Sequence, residues 1–82
     1  MNKVVVFFMK IKSKAEIELI KKMYPEGTKV VCDFMDDPYA PVPEGTCGEV
    51  ICVDSIGQLH VRWENGSGLA LNLDVDRFHI VR

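Results

Sequence analysis

Long apolar runs are missing from this sequence. Of its 82 residues 48% are hydrophobic, yet no stretch approaches the roughly 20 consecutive apolar residues of a membrane-spanning helix. Cysteine is scarce as well. Cys32, Cys47 and Cys52 are an odd set, without the CxxC spacing of a structural zinc site or the even count of a disulfide framework. Gly-rich phosphate loops, a Ser-His-Asp order and a paired-carboxylate pattern in convincing context are also absent. Charged residues make up 27%, an ordinary share for a folded soluble chain, which excludes collagen-like, disordered and low-complexity classes. What is left is one small domain, able to bury only about 60–65% of its unfolded surface.

The net charge of −2 conceals a split. Residues 1–24 carry six lysines against Glu16 and Glu18, a net +4, whereas residues 25–82 carry ten acids against Lys29, Arg62, Arg77 and Arg82, a net −6. Nucleic-acid binding draws on neutralised phosphates, so the C-terminal part is badly equipped for it. The plain reading is solvated charge on opposite faces.

The chain opens with Lys3 and an apolar run, Val4–Phe8, closed by Lys10 and Lys12 without a small-residue cleavage site. A secretory signal is therefore not expected, and free cysteines fit a reducing cytoplasm. Two readings of this segment stand open. Translation from Met9 would remove an exposed, aggregation-prone octet. Alternatively, Val4–Ile11 forms an added strand, which could pair with its copy to give a homodimer.

Ser13-Lys14-Ala15-Glu16 has the S-x-x-E form of a capping box. It predicts an amphipathic helix to about Met23, with Ile17, Leu19, Ile20, Met23 and Tyr24 on one broad side and Lys14, Glu18, Lys21 and Lys22 on the other. Pro25 ends it. From Thr28 the period changes. Lys29–Phe34 reads as a first strand, and Met35–Glu44, with Pro38, Pro41 and Pro43, as a long ordered loop. Glu49–Asp54, Gln58–Glu64, Leu69–Leu73 and Phe78–Val81 read as four further strands. They are joined by the Ser55–Gly57 turn, an Asn65-Gly66 hairpin signal and a 3₁₀ turn at Asp74–Arg77.

These elements predict a mainly β fold, a small five-stranded SH3-like barrel with one N-terminal amphipathic helix. Residues 1–12 are an extension or extra strand, 13–24 the helix and 25–82 the barrel, all one domain. The expected inward rows are Val30/Cys32/Phe34, Val50/Cys52 or Ile51/Val53, Leu59/Val61/Trp63, Leu69/Leu71/Leu73 and Phe78/Ile80. Cys32 and Cys52 read as core residues, and Gly45, Gly48, Gly57, Gly66 and Gly68 as turn glycines.

Tyr24-Pro-Glu-Gly-Thr28, Met35-Asp-Asp-Pro38, Pro43-Glu-Gly-Thr46, Val53-Asp54 with Ile56-Gly57, and Trp63-Glu-Asn-Gly-Ser67 resemble the signature blocks of a small family. It is domain of unknown function 4314, of Gram-positive bacteria, their phages and integrative elements. The resemblance covers about residues 13–82. It implies a compact SH3-like β domain, standing alone or attached to mobile-element proteins, and it carries over no activity and no catalytic residues.

Asp36-Asp37 with Tyr39, and Trp63 elsewhere, form the most suggestive group. An acidic loop beside an aromatic strip suits an extended proline-rich or basic peptide. Against this, Trp63 sits on an inward row, and Asp36-Asp37-Pro38 can simply shape the loop through Asx-type bonds. His60 and His79 alternate with apolar neighbours and so fall on outward rows, which argues against a metal site. Cys47 sits at a loop-to-strand junction with no activating group adjacent in sequence. The expectation is a non-enzymatic module without cofactor, metal or membrane, binding a protein partner through Asp36, Asp37, Tyr39 and Trp63. The alternatives are a nucleic-acid contact through Lys14, Lys21 and Lys22, disfavoured by charge, and an acidic inhibitor of a host nucleic-acid enzyme.

Overall fold

The computed structural model describes residues 11–82. Apart from Ile11, the segment behind the expected added strand, its homodimer and the Met9 start lies outside the described residues.

Helix α1 (Lys14–Met23) begins on the capping box. The Ser13 hydroxyl accepts the Glu16 N–H at 3.1 Å, and the Glu16 carboxylate accepts the Ser13 N–H at 2.8 Å. The Tyr24 N–H closes the helix on the Ile20 carbonyl at 2.9 Å. Ile20 is buried, and the Tyr24 ring meets Phe78 with centroids 5.4 Å apart. Leu19 and Met23, expected on the same side, are more than half exposed. They lie about 60–100° around the helix from Ile20, outside the narrow stripe that touches the sheet.

The strands β1 (Lys29–Phe34), β2 (Cys47–Val53), β3 (Leu59–Trp63) and β4 (Arg77–Ile80) form one antiparallel sheet in the order β3-β2-β1-β4. The Val81 N–H bonds the Lys29 carbonyl at 2.9 Å, so the last strand leaves beside the entrance of the first. The expected fourth strand, Leu69–Leu73, does not form. Only Leu71 bridges β3, exchanging bonds of 3.0 and 2.8 Å with Leu59. Its neighbours spend their backbone groups on side chains instead. The Leu69 N–H goes to Ser67 Oγ, the Leu69 carbonyl to the Trp63 indole and the Asn72 N–H to Asp76. The sheet has four strands rather than five and is not closed, which corrects the expected five-stranded barrel.

Two β-bulges reset which side chains point inward. One extra residue falls between Cys32 and Phe34 on β1, and another between Val50 and Cys52 on β2. Because one added residue inverts the alternation beyond it, Phe34 and Cys52 are exposed where the sequence pattern placed them inside. Met35 and, partly, Val53 are packed inward in their stead.

The core gathers Ile20, Val30, Cys32, Met35, Val42, Val50, Leu59, Val61, Trp63 and Leu71. Trp63 is 3% exposed and at its centre, as expected. Gly48 is a strand residue rather than a turn glycine. A Cβ there would come within 2.7 Å of Trp63 Cε3 and also strike Val61, so the indole occupies the missing side chain's space. The turn after β3 runs Trp63–Gly66, closed by the Gly66 N–H on the Trp63 carbonyl at 3.0 Å. No non-glycine residue described has a positive φ, so this is not the type I′ hairpin that Asn65-Gly66 suggested. Gly66 alone takes the left-handed conformation, with φ +82.

Candidate functional site: the long loop

The segment between β1 and β2 is anchored at both ends by buried side chains, Met35 and Val42. The Val42 N–H points to Met35 Sδ at 3.4 Å, and the Val42 carbonyl receives the Cys32 thiol at 3.4 Å. Burial, reinforced by the negative charge of Asp76, Asp33 and Glu44, pushes that thiol up from its ordinary value. Cys32 therefore stays protonated, as its role of donor requires.

Asp76 ties this loop to the rest of the molecule. It is buried, yet both carboxylate oxygens are satisfied. One accepts the Asp36 N–H at 2.7 Å and the other the Asn72 N–H at 2.7 Å. A buried acid is tolerable on such terms. It fastens the start of the loop to the turn that precedes β4. Asp37 works locally: its carboxylate accepts the Ala40 N–H at 3.0 Å, while its own N–H bonds the Met35 carbonyl at 3.0 Å. The far end is closed by the Gly45 N–H on the Cys32 carbonyl at 2.7 Å and the Thr46 N–H on the Pro43 carbonyl at 3.2 Å.

Between these anchors the chain stands out in solvent. Tyr39 is 78% exposed, and Asp36, Pro38, Ala40 and Pro41 are exposed with it. The four residues singled out from sequence therefore separate. Tyr39 and the Asp36 carboxylate are presented on the surface. Asp37 shapes the loop, and Trp63 is buried with its indole N–H donated to the Leu69 carbonyl at 2.8 Å. An aromatic strip including Trp63 does not exist. Asp76 was not recognised as a partner of this loop, and only its distance of one short turn from Asn72 hinted at a capping role.

The candidate nucleic-acid residues Lys14, Lys21 and Lys22 are exposed on α1, but Glu18 stands among them and pairs with Lys21 at 3.5 Å. Each histidine is half or more exposed and meets an aspartate. His60 Nε2 lies 2.9 Å from Asp54 Oδ2, and His79 Nδ1 lies 2.9 Å from Asp33 Oδ2. The pairs occupy different strands, and no group of three potential metal ligands occurs among the described residues. Burial acts to raise the Asp54 carboxyl, but the N–H groups of Gln58 and Ile56 and the His60 ring outweigh it and hold it below the usual carboxylate range.

No helix among the described residues is long and apolar enough to cross a membrane. The family described as Domain of unknown function (DUF4314) matches residues 13–81. No curated protein and no solved structure matches the chain.

Proposed function

The chain belongs to the DUF4314 family, and we propose that it is a non-enzymatic interaction module that presents Tyr39 to a protein partner. The single observation that carries this reading is an aromatic side chain 78% exposed on a loop held at both ends. A tyrosine in open water gains nothing for the fold. On a partner it supplies a large contact area at small entropic cost, and tyrosine is enriched among residues that dominate binding energy. The bonds from Asp76, Asp37 and Cys32 hold the loop before binding, which lowers the ordering cost of association.

The partner's surface is an apolar pocket with basic flanks. The exposed carboxylates of Asp36 and Glu44 lie on the same loop as Tyr39, and complementary charge steers encounter and fixes orientation. We read the sheet as the open form of an SH3-like barrel. The strand order, the Leu71 bridge to β3 and the turn before β4 support that reading. Free cysteines suit a cytoplasmic setting, and service in a phage or integrative element fits the same picture.

The test is affinity capture from the native host with wild type, Tyr39→Ala and a Lys14/Lys21/Lys22 triple alanine variant. It is followed by titration of the purified partner. Tyr39→Ala is expected to leave the melting temperature unchanged and to weaken binding by about 30-fold or more, the size of an interface hot spot. The lysine variant should bind normally. Equal binding by wild type and Tyr39→Ala would overturn the proposal, and loss of a nucleic acid by the lysine variant would favour the other surface.

A further inference from the structure

The β2 bulge has a chemical result on the opposite side of the molecule. By turning Cys52 outward, it sets the exposed thiol directly across the strand pair from His60. Such neighbours carry their Cβ atoms about 4.5–5.5 Å apart on one face. His60 is held in turn by Asp54, 2.9 Å from Nε2. Because the ionised Asp54 carboxylate can only accept, Nε2 carries the hydrogen and Nδ1 of the neutral ring keeps a lone pair. Cys52 also borders a depression of about 280 Å³ lined by Lys21, Tyr24, Pro25 and Ile51. A nucleophile, a base and a third group orienting that base, beside an open depression, are the components of an activated thiol. The other two cysteines lack them. Cys32 is buried with its thiol bonded to the Val42 carbonyl, and half-buried Cys47 has Val31 as its partner on β1.

We infer that Cys52 is a thiol-modification site that exchanges with low-molecular-weight disulfides seated in this depression. The thiol proton passes to His60 Nδ1 as the sulfur attacks one sulfur of R–S–S–R. The S–S bond breaks, and the departing thiolate takes up the proton. The products are the Cys52 mixed disulfide and one R–SH, with the small disulfide as the oxidant reduced. Lys21 and Glu26 both line the depression, so it does not select for charge. The group it accepts is recognised by its sulfur.

The full chain is treated with glutathione disulfide and quenched samples are read by intact mass and peptide mapping, both folded and in denaturing urea. One adduct should form first, on Cys52, at least about tenfold faster in the folded chain than at the same thiol unfolded, a modest share of what a positioned base supplies. Cys47→Ser should retain it and Cys52→Ser should lose it. His60→Gln should bring the folded rate down to the unfolded one with no change in melting temperature. In His60→Ala, added imidazole should restore part of the rate. Equal modification of Cys47 and Cys52, or a Cys52 rate indifferent to His60→Gln, would overturn the inference.

Discussion

Asp54 and Asp76 are both acids that replace missing strand pairing with carboxylate oxygens. Asp76 collects one N–H from each of two loops, and Asp54 collects the N–H groups of Ile56 and Gln58, at 3.1 and 2.9 Å, together with the His60 ring. The Asp54 carboxyl titrates below its ordinary range in the folded chain. Its stabilising contribution is therefore present above the unfolded value of about 3.9 and is lost as pH falls through the lower folded value. Asp54→Asn should cost about 1–3 kcal/mol at neutral pH. In urea denaturation at a series of pH values, the gap from wild type should narrow below about pH 4. A gap independent of pH would show that the ionised carboxylate is not its source.

At the scale of elements, the helix depends on its cap and on one buried side chain. Ser13→Ala should lower stability by about 1 kcal/mol through loss of the cap. Ile20→Asp should cost about 3 kcal/mol or more by burying an unpaired charge. Thermal denaturation of both variants checks the two values, and an unchanged midpoint for Ile20→Asp would mean that α1 does not dock. The helix and the third strand were legible because polar residues punctuate their apolar ones at the right period. The inward row of β2 was not. Val50-Ile-Cys-Val53 is apolar throughout, so nothing in it marks the residue that bulges. The missing strand at Leu69–Leu73 had the right alternation, but Ser67, Asn72 and Asp76 compete for its backbone, a contest that alternation does not record. Of the site, the exposure of Tyr39 followed from the prolines around it. The meeting of Cys52 with His60 could not be read, because it depends on a register set by the bulge.

The molecule as a whole holds together through contacts made late in the chain as well as early. Ile20 belongs to the same core as Trp63, and Tyr24 touches Phe78. An isolated helix of ten residues is marginal in water, so α1 should persist only while the sheet does. Indole fluorescence and helical ellipticity are therefore expected to report one coincident urea transition, as two-state unfolding requires. Separated midpoints would show that the helix is an independent unit. The bond from Val81 N–H to the Lys29 carbonyl has a wider consequence. Because the polypeptide enters and departs the sheet at adjacent points, these four strands could be spliced into a host protein's surface loop through two short tethers, without prying the host's loop ends apart. That geometry makes the unit portable.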